Sequence, residues 1–353
     1  MKTGAYSDVT SLTFAITIPI GPSPSGWLSW TLRSLKAQEV KPRIAVCSVA
    51  SSETLQEQLK PFSSQICYER FGPDKGQSDA INEGWQALCG DIYGWLNDDD
   101  CLAPDALTKV AKIFSDHPEV DVVFGDTILI ENEAYSRLHP GPSDIDDTLY
   151  RDNLISQPSC FVRKSALFEV GLLDINRHYT MDWDLWVRLY EAGKNFYYLP
   201  DVLSLVRHHA DTKTGSLNIE RLNEIYKLVL RHSGLKNALH TGFNFCVFHL
   251  AEYGPFRGFF SGVKRKLCEP RTLHRNFTRD FSLFHYQKDI AKKLVIDFER
   301  AVNCGIYLDQ KVAFQGETSR FEGKINLAPE EIVKLQIEYR NVDTKIAQQI
   351  ELT

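Results

Sequence analysis

Three consecutive carboxylates, Asp98, Asp99 and Asp100, directly follow an apolar stretch that ends at Trp95 and Leu96. Repulsion between like charges this close opposes their ionisation unless a cation shares them. Carboxylate oxygens suit Mg²⁺ or Mn²⁺, which usually combines one or two protein carboxylates with substrate phosphates. A solvated acidic turn, in which one aspartate caps the next helix, accounts for the same residues. On spacing alone both interpretations stand.

A second polar segment spans residues 71–84, where Gly72 and Gly76 form a flexible turn into a predicted helix that carries Gln77, Asp79 and Asn82. The free backbone amides and the positive dipole end of a helix start suit an anionic ligand. The segment has neither the lysine of a Walker loop nor a GxGxxG pattern. An ordinary capped helix is therefore an equally good explanation.

A third segment places Asp182, Trp183 and Asp184 at the start of a strongly amphipathic helix predicted over residues 182–192. Asp184 and Arg188 lie at i and i+4, which predicts an ion pair on one helix face. Asp182 stands at the N-terminal edge of this helix. It either caps the helix or faces a cleft, where a carboxylate could act as a base.

A fourth segment follows a predicted strand and contains Arg207, His208, His209 and Lys213. Histidines and cations in one loop are suited to contact a metal ion and phosphate groups.

The elements that must position these segments alternate between strand and helix over residues 12–124, and a second α/β stretch covers residues 159–207. This order predicts an α/β fold with a mixed, mainly parallel sheet flanked by helices. Ligands of such sheets bind beyond the carboxyl ends of the strands, where the polar segments lie. Residues 130–153 are polar and rich in proline, glycine and aspartate, which predicts a long loop.

Taken in order, the segments resemble the family-2 inverting glycosyltransferases with the GT-A fold, in particular the branch with a GQSDAIN segment followed by a WLNxDD segment. The resemblance covers residues 12–215. The matching positions are residues 76–82, 95–100 and 181–188, Phe124, Gly125, Asp126, Gln157, Pro158, Phe161, Arg163, Arg207, His209, Lys213 and Thr214.

The resemblance implies a metal-dependent transfer of a sugar, with inversion, from a nucleotide diphosphate donor to an acceptor hydroxyl of a glycan or a lipid-linked molecule. Asp99 would be the principal ligand of Mn²⁺ or Mg²⁺, with Asp100 and His209 close to the metal. Asp182 would be the catalytic base. The residues implied on the acceptor side are Trp183 and Asp184, and those implied at the donor are Pro19, Gln77, Asp79, Asn82, Asn97, Asp98, Arg207 and Lys213.

The chain departs from the family pattern after its second strand. Many members have an acidic pair there that holds the nucleobase and ribose, whereas residues 46–52 of this chain carry no acidic side chain. The identity of the nucleobase is therefore open, with only a slight preference for UDP over GDP and dTDP.

Three regions are predicted along the 353 residues. Residues 1–215 would form the GT-A catalytic domain, residues 216–310 a helical extension rich in aromatic and basic residues, and residues 311–353 a short β-rich tail. The mixture of aromatic and basic residues in 257–279 suits an anionic membrane surface, although oligomer contacts or a solvated face would use the same residues.

The composition of the chain bears on its binding partners and its location. A net charge of −6 argues against nucleic acid as the partner. The sequence contains no run of about 18 apolar residues that would indicate a membrane span. Eight scattered cysteines without a CxxC pair favour buried free thiols and a cytoplasmic location, which includes the inner face of the membrane.

Two other classes of function fit part of these observations. A nucleotidyltransferase shares the α/β sheet and the acidic metal site, but its first loop should be basic and glycine-rich, and residues 21–26 contain no lysine or arginine. A non-catalytic module that binds glycans or nucleotide-sugars could keep the fold without the reaction. The intact carboxylates argue against the second alternative.

Overall fold

The computed structural model describes residues 12–132, 135–207, 219–253, 279–285, 290–308, 311–327, 332–339 and 348–352. The chain divides into two compact units. The first consists of residues 1–127 and 140–270, and the second of residues 128–139 and 271–353.

The first unit is built on a mixed sheet, as the sequence predicts. Its strands, one of which (β6) continues into the second unit, are β1 (Phe14–Ile20), β2 (Arg43–Ser48), β3 (Ile66–Phe71), β4 (Ile92–Trp95), β5 (Cys101–Leu102), β6 (Val122–Asn132), β8 (Cys160–Arg163) and β9 (Phe196–Arg207). They lie in the order β3-β2-β1-β4-β8-β6-β9-β5. Strands β3, β2, β1 and β4 are parallel neighbours. Strand β8 pairs antiparallel with β4 and β6, and β5 with β9.

Seven helices accompany this sheet in the described part of the first unit. They are α1 (Leu28–Ala37), α2 (Glu53–Leu59), α3 (Gln77–Ala87), α4 (Ala106–Asp116), α5 (Lys164–Glu169), α6 (Met181–Glu191) and α7 (Ile219–Tyr253). Two clusters of buried apolar side chains form the core, and strand β1 contributes to both because its side chains alternate between the two sheet faces. The predicted helix at residues 182–192 is confirmed within one residue at each end.

Close packing brings α3 and α6 to the end of β4. Trp95, the last residue of β4, has its ring centroid 5.4 Å from that of Trp85 on α3 and 6.0 Å from that of Trp186 on α6. A Cβ at Gly84 would lie 2.5 Å from the side chain of Thr17, so α3 can approach β1 only with glycine at this position. The starts of α3 and α6 are thereby fixed beside the acidic turn that follows β4.

Residues 130–153 are not one long loop, so that prediction was wrong in part. Strand β6 continues to Asn132, β7 covers Tyr135–His139 and pairs with β6, and a 3-10 helix covers Asp147–Tyr150. Residues 131–139 are mostly polar, a composition that favours a loop. The pairing of β7 with β6 overrides this local preference.

The second unit contains a five-stranded antiparallel sheet. Its strands are β10 (Arg279–His285), β11 (Ile290–Leu308), β12 (Lys311–Leu327), β13 (Ile332–Tyr339) and β14 (Gln348–Leu352). Strands β10 and β11 thus lie within residues 216–310, for which a helical extension was predicted, and α7 occupies the first part of that range. Strand β11 is rich in β-branched residues, which favour a strand over a helix: Ile290, Val295, Ile296, Val302 and Ile306.

Three further observations concern the predictions on solubility and contacts. Among the described helices none is long and apolar enough to cross a membrane. The described cysteines are all free thiols, although Cys67 and Cys89 are exposed rather than buried. The segment predicted to contact a membrane, residues 257–279, lies outside the described residues except for Arg279.

Candidate active site

A cavity of about 230 Å³ opens where the ends of β4 and β9 meet the starts of α3, α6 and α7. All of its lining residues belong to the first unit. They are Gln77, Asn97, Asp100, Ser156, Gln157, Pro158, His178, Tyr179, Met181, Asp182, Val206 and Arg221.

The acidic turn after β4 forms one wall of this cavity. Asp100 is only 2% exposed, and its two carboxylate oxygens accept from the amide of Asn97 at 3.1 Å and from the backbone N–H of Arg207 at 3.3 Å. Burial, reinforced by the charge of Asp99, raises the pKa of the Asp100 carboxyl well above its usual value. The surroundings of the turn therefore disfavour the ionised form of Asp100.

The other two carboxylates of the turn differ in their partners. Asp98 accepts a hydrogen bond of 2.6 Å from the backbone N–H of Ser25, which ties the turn to the loop after β1. Asp99 is half-buried beside Asp100. The charge of Asp99 acts on the buried Asp100 carboxyl, and a cation shared by the two would relieve their repulsion.

The carboxylates of this turn fit a hard divalent cation, because they are oxygen ligands whose mutual repulsion a cation relieves. Within the described residues, no three His, Cys, Asp or Glu side chains converge on one point suited to a metal ion. The predicted ligand His209 and the predicted donor contact Lys213 lie outside the described residues. A metal here would rely on one or two carboxylates and on ligands from the substrate.

Arg207, the last residue of β9, packs its guanidinium 3.7 Å from the ring centroid of Trp27. Burial lowers the pKa of Arg207, and the negative charges of Asp100 and Asp99 act in the opposite direction. The guanidinium stays protonated and supplies a positive charge that interacts with the acidic turn.

Of the predicted donor contacts, Gln77 and Asn97 meet at the cavity wall, where the Gln77 amide donates to Asn97 Oδ1 at 2.8 Å. Helix α3 begins here because Gly76, at φ +119°, turns the chain in a conformation that L side chains rarely adopt. The first turn of α3 is thus joined directly to the acidic turn.

Three other residues that were predicted to contact the donor are engaged with other parts of the protein instead. Asp79 accepts from the backbone N–H of Lys75 at 3.0 Å. Asn82 donates to the carbonyl of Leu173 and accepts from its N–H, at 2.8 Å and 3.1 Å. Pro19 is buried within β1 opposite Cys47. None of these three residues lines the described cavity.

Asp182 faces the cavity from the first turn of α6. Its Oδ1 accepts from the N–H of Trp183 at 2.8 Å, and its Oδ2 accepts from the amide of Asn153 at 3.0 Å. Burial raises the pKa of this carboxyl, while the two hydrogen bonds and the positive charge of Arg221 partly counteract that rise. A carboxylate with a raised pKa is a stronger base than an exposed aspartate.

Trp183 and Asp184, predicted on the acceptor side, point away from the cavity. Trp183 is 4% exposed and donates from its indole N–H to the carbonyl of Leu149 at 2.6 Å. Asp184 lies between two guanidinium groups, 2.9 Å from Arg177 Nε and 2.7 Å from Arg188 Nε. The predicted ion pair between Asp184 and Arg188 is confirmed.

The structure therefore brings Gln77, Asn97, Asp100 and Asp182 to one cavity. It adds His178, Tyr179 and Arg221, which sequence reasoning missed. His178 and Tyr179 lie within one helical turn of the predicted base in sequence and could have been found by proximity. Arg221 lies on α7, in the region predicted to be a separate extension. No local pattern in the sequence marks Arg221 as a site residue.

Residues 25–172 match the model of Glycosyl transferase family 2. An uncharacterized glycosyltransferase of Rickettsia typhi is 25% identical over 234 residues, which cover 64% of this chain and 71% of the relative. The amylovoran biosynthesis glycosyltransferase AmsE of Erwinia amylovora is 27% identical over 169 residues, covering 45% and 62%.

Among solved structures, residues 1–349 of S. aureus TarS in complex with UDP-GlcNAc match with a TM-score of 0.50 and 13% identity, covering 72% of this chain and 77% of that chain. At this identity the match concerns the fold alone. The predicted GT-A type α/β fold is confirmed, and residues 25–172 are similar to Glycosyl transferase family 2.

Proposed function

We propose that this chain, with its Glycosyl transferase family 2 domain, transfers a sugar from a nucleotide diphosphate donor to an acceptor hydroxyl during the synthesis of a glycan or polysaccharide. One observation carries the proposal: Asp182, a carboxylate with a raised pKa, faces the same cavity as Asn97 and Asp100 of the acidic turn. The relative named for amylovoran biosynthesis supports the assignment to glycan synthesis.

The two walls of the cavity suit the two ends of this reaction. The acidic turn, with Gln77 and Asn97, would hold the donor. The wall formed by Asp182, Tyr179 and Arg221 would receive the acceptor. The acceptor is expected to be a glycan or a lipid-linked molecule. Among candidate donors, we slightly favour a UDP-sugar over a GDP-sugar or a dTDP-sugar.

Asp99 would be the main protein ligand of Mn²⁺ or Mg²⁺, with Asp100 and His209 as further candidates. When bound, such an ion supplies positive charge to the diphosphate leaving group. The protein would keep this part of the site polar through Asn97 and bring the positive charge of Arg207 close to the carboxylates.

In the proposed step the acceptor oxygen bonds to the anomeric carbon as the bond from that carbon to the diphosphate oxygen breaks. The hydroxyl proton passes to Asp182. Attack opposite to the leaving group inverts the anomeric configuration. Asn153 and the N–H of Trp183 hold the two oxygens of Asp182, which fixes the direction of the carboxylate while each oxygen keeps a lone pair for the proton.

A donor screen tests this proposal. The purified chain is incubated with UDP-, GDP- and dTDP-sugars and Mn²⁺, and release of the nucleoside diphosphate is measured with and without chelator. We expect release from one donor class, lost on chelation and in Asp99→Ala. Asp116→Ala is the matched control, because Asp116 lies at the end of α4 in an exposed ion pair with Lys112.

Each alternative predicts a different result. Release of pyrophosphate from a nucleoside triphosphate would identify a nucleotidyltransferase instead. Binding of a nucleotide-sugar without release would identify a binding module. Release that survives both chelation and Asp99→Ala would contradict the assigned metal role while leaving the transferase assignment intact.

A further inference from the structure

The loop that leads into α6 is held by a carboxylate from another helix. Glu224, in the second turn of α7, accepts hydrogen bonds from the backbone N–H groups of His178, Tyr179 and Thr180, at 2.9, 2.9 and 3.0 Å. It also accepts from the hydroxyl of Thr180 at 3.1 Å. One side chain thus binds three successive residues, the last of which lies two positions before Asp182.

This arrangement replaces the usual cap of a helix. Thr180 is the N-cap residue of α6, yet its side chain makes no capping bond to the helix. Its hydroxyl donates to Glu224 instead, and the N–H of Trp183, which an N-cap threonine would ordinarily bind, donates to Asp182 Oδ1. The direction of the Asp182 carboxylate therefore depends on where the Thr180 hydroxyl points.

The charge of Glu224 also matters. A carboxylate at the N-terminus of a helix interacts favourably with the helix dipole, and hydrogen bonds to a charged acceptor are stronger than those to a neutral one. Two of the residues whose N–H groups it binds, His178 and Tyr179, line the cavity, and Arg221, one turn before Glu224 on α7, lines it as well. The first turns of α7 thus support the cavity wall that carries Asp182.

We propose that Glu224 is a positioning residue for Asp182: by holding the backbone of residues 178–180 and engaging the Thr180 hydroxyl, it fixes the proposed base toward the acceptor. This inference rests on the proposed function, since it assigns Glu224 a role through Asp182. It also makes the start of α7 part of the catalytic machinery rather than of a separate extension.

The test is kinetic and uses the full chain. Glu224→Gln keeps the size of the side chain and removes its charge. Because a displacement of a reacting group by about 1 Å can cost about 100-fold in rate, we expect kcat to fall roughly 10- to 100-fold with the KM for the nucleotide-sugar little changed. Glu224→Asp keeps the charge on a shorter side chain, so its kcat should lie between those of the wild type and Glu224→Gln. Glu57→Gln is the matched control, because it makes the same change at an exposed glutamate of α2 that does not line the cavity, and it should leave kcat unchanged.

Combining Glu224→Gln with Asp182→Asn separates positioning from a general structural effect. If Glu224 acts through Asp182, the double variant is no slower than Asp182→Asn alone, because residues that act as a unit are not additive. Amide hydrogen exchange over residues 178–183 should also become faster in Glu224→Gln and not in Glu57→Gln, a readout that does not depend on activity.

The outcomes distinguish this inference from the proposed function. Wild-type kcat in Glu224→Gln, or fully additive losses in the double variant, would overturn the role of Glu224 while Asp182→Asn still identifies the base. Wild-type kcat in Asp182→Asn would instead overturn the base assignment, and the positioning role would fall with it.

Discussion

Two faces of helix α6 can be compared through two aspartates that lie two residues apart. Asp182 faces the cavity, where the amide of Asn153 and the N–H of Trp183, both neutral donors, hold its oxygens and burial raises its pKa. Asp184 faces the protein interior, is 5% exposed and lies between Arg177 and Arg188. On the cavity face, burial makes ionisation of Asp182 less favourable, which makes its carboxylate a stronger base. On the interior face, Asp184 stabilises the fold through its two ion pairs.

The largest effect expected from this comparison concerns the cavity face. In Asp182→Asn the proton acceptor is lost, so we expect transfer to fall about 1,000-fold, within the usual range for removing a general base. The melting temperature should stay the same or rise. A raised pKa in the folded state means that folding disfavours the ionised form, so above that pKa the neutral asparagine removes a cost. Turnover and thermal unfolding of the same preparation test both expectations.

The pH dependence of the wild type supplies an independent check on the cavity face. Since burial raises the pKa of Asp182, kcat should fall on acidification at a pH above the ordinary aspartate value, as the protonated carboxyl cannot accept a proton. Measurement of kcat from about pH 4 to 8 covers this range. An acid limb at the value of an exposed aspartate would contradict the environment described for Asp182.

A smaller effect, on stability instead of rate, is expected from the interior face. Asp184→Asn leaves two guanidinium groups without their shared carboxylate, and breaking a buried ion pair costs about 3 kcal/mol of unfolding free energy. Denaturant titration measures this loss. The matched control is Asp116→Asn, which breaks the exposed i,i+4 pair with Lys112 and should cost less than about 0.5 kcal/mol. Equal losses in the two variants would remove the distinction between buried and surface pairs.

The contrast between the two faces also explains how much could be predicted from the sequence. The acidic turn and the start of α6 are contiguous segments, so the sequence shows their residue types and spacing directly. Helical periodicity predicts the Asp184–Arg188 pair. Whether Asp182 caps the helix or faces a cleft was not decidable, because the answer depends on Asn153 and on α7. Those contacts join positions far apart in the chain.

The same limit applies to other residues of the site. Asn82 was predicted at the donor, yet both groups of its amide bind the backbone of Leu173, 91 residues away. Glu224 lies 44 residues from Thr180, and no local pattern distinguishes it from the other charged residues of α7. Local spacing identifies the groups capable of chemistry, whereas tertiary packing decides which of them are free to perform it.

The smallest effect expected on α6 lies between the two aspartates, at Trp183. Its indole N–H donates to the carbonyl of Leu149 at 2.6 Å, which joins α6 to the 3-10 helix at Asp147–Tyr150. Trp183→Phe keeps an aromatic ring but leaves that carbonyl without this donor, so we expect a loss of about 1 to 3 kcal/mol from the hydrogen bond and the smaller ring. If Trp183 serves only the interior, KM for the acceptor should not change. A selective rise in that KM would restore its predicted place on the acceptor side and show that the interior face of α6 also serves the reaction.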